Sequence, residues 1–138
     1  MSQQSISLLV LTVIAAGDVS EYRAVGFNGA QATVQGQKVQ GVSQCRANSG
    51  EAVGVVTHGT AVIESGAAFN VGQSLIVDSQ GRAIPANPLT VAPGAVAVTS
   101  TAANGAILHG GDGPEYLFAD ALQAAVRAGE FVEVLLRR

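Results

Sequence analysis

Residues 50–66 read GEAVGVVTHGTAVIESG. Two apolar runs, Ala52–Thr57 and Thr60–Glu64, stand on either side of His58-Gly59 and are fenced by Gly50-Glu51 and Ser65-Gly66. Runs of four to eight residues rich in Val, Ile and Thr, bounded by Gly and Ser, have the signature of short β-strands. The reading is therefore two strands joined by a turn at His58-Gly59. The same grammar extends in both directions. Upstream, Tyr22–Phe27 (YRAVGF) is a strand closed by Asn28-Gly29, a strong hairpin signal because both residues tolerate positive φ. Between them lies AQATVQGQKVQGV, with apolar residues at Ala32, Val34, Val39 and Val42; its Gly36 and Gly41 mark a bend, a bulge or another turn. Downstream, Ser74–Asp78 (SLIVD) is a strand, and Ser79-Gln80-Gly81 turns into Arg82-Ala83-Ile84-Pro85. Turn signals recurring about every eight to twelve residues argue for a sandwich or barrel and against alternating βαβ units.

The N-terminal run Ile6–Ala16, ISLLVLTVIAA, is unbroken where the other strands alternate. That suits a strand buried on both faces, or one buried against a partner chain. No Lys or Arg precedes it, so the charged leading region of a signal peptide is missing, and eleven residues are too few to span a bilayer. At the other end the period changes. Tyr116–Ala128 (YLFADALQAAVRA) places Leu117, Phe118, Ala121, Leu122, Ala125 and Val126 on one helical stripe, with Pro114 and Glu115 suited to its first turn and Gly129 to its C-terminal cap. A final strand, Glu130–Leu136, follows. Residues from Pro85 to Gly113 hold Pro85, Pro88, Pro93 and the loop HGGDG, and read as an insertion or long hairpin containing one more alternating strand, Gly94–Thr101. The fold expected is mainly β: a small β-barrel or β-sandwich with one short C-terminal helix. An N-terminal strand or extended arm (1–15) leads into a single β-rich domain (16–138), which carries a Pro/Gly-rich insertion at about 85–113.

One internal echo stands out. Gly50-Glu51-Ala52-Val53-Gly54-Val55 matches Gly129-Glu130-Phe131-Val132-Glu133-Val134. In each, Gly leaves the preceding element and Glu opens a strand with Val at alternate positions. Two halves packed as pseudo-equivalent hairpins would produce the same echo, although six residues are too few to establish a repeat.

Composition bounds the function. The 138 residues suffice for one domain with a real core. Apolar residues make up 48% of the chain, but Ala and Val dominate, Trp is absent, and there are four Phe and two Tyr, so the core is thin and self-association would help it. Seven Lys and Arg against ten Asp and Glu leave no basic stripe for nucleic acid; the densest basic spot is Arg137-Arg138. A lone Cys45 permits no intrachain disulfide and reads as a small, partly buried residue.

No catalytic, cofactor or metal residues are assigned. His58 and His109, the two histidines, each sit beside Gly in a turn, and no Ser stands in a G-x-S-x-G elbow. Cys45, His58, His109 and Asp112 share no metal-ligand spacing. Glu51, Glu64 and Asp78 each have a turn or strand-end explanation. HGGDG lacks the Lys and Ser/Thr of a phosphate-binding loop.

The order of segments carries a resemblance. TVIAAGDV, YRAVGFNG, GVSQCRANSGEAVGVVTHGTAVIESG, FNVGQSLIVDSQGRAIPA and ALQAAVRAGEFVEVLL follow one another as in the capsid cement (head-decoration) proteins of tailed bacteriophages, a family formerly filed as a domain of unknown function. The chain resembles that family in A-x-x-G-E-x-V-x-V at Ala47–Val55 and in G-x-x-L-x-x-D-x-x-G-R-A at Gly72–Ala83. It does so again in A-L-x-A-A followed by G-E-x-V-x-V within Ala121–Val134. The similarity covers most of residues 6–136, with Pro88 to Gly113 the least similar part. What it implies is a structural, non-enzymatic protein of the virion, made in the bacterial cytoplasm. It would be a homotrimer on the outer surface of the head, bound to the major capsid protein at three-fold and quasi-three-fold positions and stabilising the shell against internal DNA pressure. No cofactor, nucleic acid or membrane is implied. Interface residues are expected in the N-terminal arm and the Pro-rich loop: Ile6, Leu8, Leu9, Leu11, Leu89 and Val91, apolar residues without obvious local partners. Two other readings stay open, a β-module binding a surface ligand such as a glycan and a small trimeric β-rich enzyme with an intersubunit site drawn from His58, Asp78 and His109.

Overall fold

The turn expected at His58-Gly59 is not there. In the computed structural model, which describes residues 4–86 and 115–137, Ala52–Glu64 is a single strand thirteen residues long. It is β4 of eight strands among the described residues. The others are β1 (Ser7–Ile14), β2 (Arg23–Gly26), β3 (Val39–Ser43), β5 (Ser74–Val77), β6 (Ala83–Pro85), β7 (Ala119–Ala121) and β8 (Phe131–Leu136). Gly59 bends the strand without ending it. Its φ is +102°, and a Cβ built there would lie 2.1 Å from the carbonyl oxygen of Ile6. Opposite it, the β1–β4 register slips between Ser7 and Leu9 and again between Leu9 and Val10, as a bulge requires. A bent strand can serve two sheets. The first half of β4 pairs with β1 and β3, and the second half pairs with β8.

The ladders between the named strands are all antiparallel, in the order β2-β3-β4-β8-β7-β5-β6, with β1 added to β4. The ends of this path return toward each other. Ser65 bridges Ala83, Gly66 N–H donates to Ala83 O at 2.7 Å, and Ala24 N–H donates to Gly81 O at 2.8 Å. The result is a nearly closed antiparallel β-barrel, which removes most free sheet edges. A turn forms at Asn28-Gly29, with positive φ at Gly29 alone and a single bridge, Val25 to Gln31, across it: Gly26 N–H donates to Ala30 O, and Ala30 N–H donates to the Asn28 side chain. Gly41 lies inside β3, where a Cβ would stand 2.2 Å from the carbonyl oxygen of Val56; only glycine lets β3 approach β4 this closely.

The barrel interior holds Ile63, Phe69, Leu75, Val77, Phe118 and Val134, filled in by small residues such as Ala24, Ala61, Ala83 and Ala119. A second cluster, Ala15, Val19, Val25, Ala47, Val53 and Val55, packs under the inner face of β1 through Val13. Every buried side-chain nitrogen and oxygen among the described residues has a hydrogen-bond partner.

The expected helix at Tyr116–Ala128 is overturned: the described part of the chain contains no helix. Its backbone donors reach across the barrel instead. Tyr116 N–H goes to Gly36 O, Phe118 to Leu75 O, Ala121 to Gln73 O, Leu122 to Glu133 O, and Ala125 to Phe69 O. Helix propensity from Ala and Leu is worth tenths of a kcal/mol per residue and yields to pairing of this kind. The apolar stripe is split accordingly: Phe118, Ala121 and Ala125 are buried while Leu117 and Val126 are exposed. The insertion expected at about 85–113 falls almost wholly outside the described residues, as do Leu89, Val91, His109 and Asp112.

Candidate interaction surface

β1 is a strand, but the chain does not bury it. Ile6, Leu8, Leu9, Val10, Leu11 and Ile14 are between 43% and 76% exposed. Among the described residues β1 pairs with β4 alone, so one edge of a Leu/Val/Ile strand carries backbone donors and acceptors without a protein partner there. Its inner face, through Val13, touches the small cluster beneath; the outer face, with Val10, Thr12 and Ile14 opposite Val56, Gly54 and Ala52, meets little cover. A Cβ at Gly54 would touch only Val10, at 3.3 Å, so this part of the surface is flat.

The start of the strand is tied down. Thr60 N–H donates to Ile6 O at 2.9 Å, and Ile6 N–H donates to Thr60 Oγ1 at 2.9 Å. Ser5 donates to the Gln44 side chain, and Gln4 N–H donates to the buried Glu133 carboxylate at 3.2 Å. An apolar ribbon clamped at its N-terminal end and open along its length is suited to bind another protein surface. Burying each such side chain fully is worth roughly 1.5–3 kcal/mol. Of the residues singled out from sequence, Ile6, Leu8, Leu9 and Leu11 lie on this ribbon together. Val10 and Ile14 share its exposure and were passed over, although they belong to the same unbroken apolar run.

The polar residues weighed for chemistry are scattered and occupied. Glu51 accepts from Asn48 N–H at 2.9 Å and so closes its own turn. Glu64 pairs with Arg23 at 2.6 Å. Asp78 is buried in the 78–82 turn, where Oδ1 accepts from the backbone N–H of Gln80 and Arg82 and Oδ2 from Arg82 Nε, each at 2.8 Å. His58 stands in β4, not in a turn, and its Nδ1 lies 3.2 Å from Thr57 Oγ1. Cys45 is exposed, not partly buried as read from sequence, because it follows β3 where the chain leaves the sheet. Among the described residues no three His, Cys, Asp or Glu side chains gather where they could hold a metal ion. Elsewhere, exposed Phe27 and Tyr116 flank Lys38, whose ammonium lies 5.6 and 5.8 Å from their ring centroids.

No protein-family model and no curated protein sequence matches the chain. In fold it is similar to the N base of the head fiber gp8.5 of bacteriophage phi29, with a TM-score of 0.62 at 16% sequence identity, over 94% of this chain and 93% of that one. At that identity the likeness establishes a shared fold, a mainly β barrel.

Proposed function

We propose that this chain is a structural, non-enzymatic protein of a tailed-bacteriophage head. It decorates the outer surface of the mature shell as a homotrimer and binds the major capsid protein at three-fold and quasi-three-fold positions. The contacts would come from Ile6 and from Leu8, Leu9 and Leu11 on β1, with Leu89 and Val91. The observation that carries the reading is β1, an apolar ribbon held out from a barrel whose buried polar side chains, among the described residues, are all taken up by structural hydrogen bonds. The likeness in fold to a phage head-fiber base supports it, as does the order of the segments that resemble the cement family.

The mechanism is linkage. A protein that binds the expanded shell and not its dissociated subunits stabilises the shell by mass action, by about 2.7 kcal/mol per site at a hundred times Kd. Three copies held together engage several capsid subunits at once, so avidity replaces strong single contacts. The acidic chain has no attraction to packaged DNA, which agrees with an outer position.

The test uses expanded heads assembled without this protein. The purified chain should co-sediment with them to a saturating ratio and raise the temperature at which they release DNA. Heads that neither bind it nor gain heat resistance would overturn the reading.

A further inference from the structure

The echo of Gly50-Glu51 in Gly129-Glu130 extends through the described part of the fold. Gly50 donates to Ala15 O and Ala15 donates back to Glu51 O; Gly129 donates to Ser65 O and Ser65 donates back to Glu130 O. Val19 and Ala47 exchange both backbone bonds, and so do Phe69 and Ala125. Tyr22 donates to Ser43 O as Gly72 donates to Ala121 O, and both donors have positive φ, +58° and +85°. β1 meets β4 from Val10↔Val56 to Ile14↔Ala52, and β4 meets β8 from Thr60↔Leu135 to Glu64↔Phe131, the same run of five pairs. β3 joins β4 at Val42↔Val56 and Ser43↔Val55 as β7 joins β8 at Asp120↔Leu135 and Ala121↔Val134. Over the described residues the chain is thus one unit built twice. The first unit runs from β1 into the first half of β4, and the second from the second half of β4 to β8.

The two copies differ in their cover. In the second unit the other side of β4 is occupied by first-unit residues. The Gln44 side-chain amide donates to Val62 O at 3.1 Å and accepts from Val62 N–H at 3.4 Å. Tyr22 O accepts from Glu64 N–H at 3.0 Å, and Arg23 pairs with the Glu64 carboxylate. The counterparts of Val62 and Glu64 in β1 are Thr12 and Ile14, which no described residue covers in this way. Leu11 is 43% exposed where its counterpart Ala61 is fully buried.

We propose that the missing cover of β1 is the second unit of another copy of this chain, so that copies join head to tail. Residues 70–73 and Leu122 correspond to residues 20–23 and Gln44; in one copy they would lie along Leu11–Ile14 of the next. That second-unit surface is available: Asn70, Val71, Gly72 and Gln73 are exposed. Its chemistry also fits. Where Arg23 faces Glu64 inside the chain, the corresponding pair between copies is Gln73 and Ile14, with Val71 beside them, an uncharged contact for an apolar strand. A contact between two different patches closes into a ring or runs on as a filament, according to its rotation. The proposal rests on the homotrimer part of the reading above and deepens it as a ring of three such contacts; its test involves no capsid, so head binding can fail while the contact stands, and an oligomer that ignores Val71→Asp leaves the homotrimer standing while the contact fails.

The test pairs two variants, Ile14→Asp on β1 and Val71→Asp on the second unit, each purified and measured by light scattering. Both are compatible with folding, because Glu64 and Glu21 already place acids at the counterpart positions. The wild type should be a closed oligomer. Each variant alone should fall to the 13.9 kDa single chain with an unchanged circular dichroism spectrum. Mixed in equal amounts, the two should form a heterodimer, since one keeps its second unit and the other keeps its β1. A monomeric wild type would overturn the proposal. So would Val71→Asp that assembles like the wild type, which is the behaviour of β1 pairing with β1, or a mixture that stays monomeric. Should Ile14→Asp lose its spectrum, Ile14→Ser replaces it in the same scheme.

Discussion

Replacing Gly41 by Ala should cost more stability than any other single methyl added to a described glycine without positive φ. The added carbon would stand 2.2 Å from Val56 O and 2.8 Å from Val55 Cγ1. An ordinary carbon–oxygen contact needs roughly 3.3 Å, so β3 and β4 must part by about 1 Å. The two strands share only the registered pairs Val42↔Val56 and Ser43↔Val55, so there is no long ladder to absorb the shift. Overpacking costs about 1–3 kcal/mol, and a buried backbone group stretched away from its partner costs a further 1–3 kcal/mol or so. The expected loss is about 4 kcal/mol, a large part of the 5–15 kcal/mol typical of a domain and equivalent to a fall in Tm on the order of 15 °C. Thermal unfolding followed by circular dichroism measures it. Gly50→Ala is the control: Gly50 has φ +86° and nothing within 4 Å of a built Cβ, so its cost is backbone strain alone, about 1 kcal/mol. If Gly41→Ala loses no more than this control, the close approach of β3 to β4 does not hold.

Three further outcomes follow from named contacts. Asp78→Ala removes the acceptor for two backbone N–H groups and the Arg82 side chain, and should cost about 2–3 kcal/mol in urea unfolding, with Asp78→Asn losing less because it keeps the backbone bonds. Ser65→Ala strips a buried hydroxyl that donates to Arg127 O and accepts from Glu130 N–H, and should cost about 1–3 kcal/mol by the same measurement, since the Glu130 donor is left without a partner. Leu8→Asp, at a position 76% exposed, should change the unfolding midpoint by less than about 0.5 kcal/mol yet weaken binding to heads at least tenfold in a co-sedimentation assay.

The strands were legible because Gly and Asn mark their ends: β2, β5, β6 and β8 fall within or close to the runs bounded by Asn28-Gly29, Gly72, Gly81 and Gly129. Two features misled for different reasons. At His58-Gly59 the glycine signals a positive φ, and sequence does not distinguish a turn that ends a strand from a bulge that bends it. At Tyr116–Ala128 a helical period and good helix formers coincide by chance with a segment whose partners include Gly36, Phe69, Gln73 and Leu75, far away in sequence. The interaction surface was readable as an anomaly, since ISLLVLTVI lacks the alternation of a half-buried strand. That the chain would leave it uncovered, and that Val10 and Ile14 would be open with the rest, depends on pairing with β4, which no local pattern encodes. The duplication showed in sequence only as six residues because it is kept in backbone hydrogen bonds, which constrain side-chain identity little.

Where the bulky residues sit gives the reason to expect self-association. Among the described residues, nine Leu, Ile and Phe side chains are exposed (Ile6, Leu8, Leu9, Leu11, Ile14, Phe27, Leu117, Phe131, Leu135), against six that are buried (Ile63, Phe69, Leu75, Ile76, Phe118, Leu136). That inverts the usual partition. The barrel is filled largely by Ala and Val, so the large side chains have gone to the surface, and β1 with Ile6 just before it holds five of the nine. At about 1 kcal/mol for each half-exposed residue brought out of water, β1 carries roughly 5 kcal/mol that only another surface can release, less the cost of association. This is comparable to the lower end of the stability typical of a folded domain. Unfolding should therefore depend on concentration: Tm should rise by several degrees between low micromolar and a hundredfold higher protein, because a subunit contact that the unfolded chain lacks stabilises the folded state by mass action. Ile14→Asp should remove that dependence while leaving the low-concentration Tm nearly unchanged. A Tm independent of concentration in the wild type, with a single-chain mass throughout, would mean that the ribbon is reserved for a different protein.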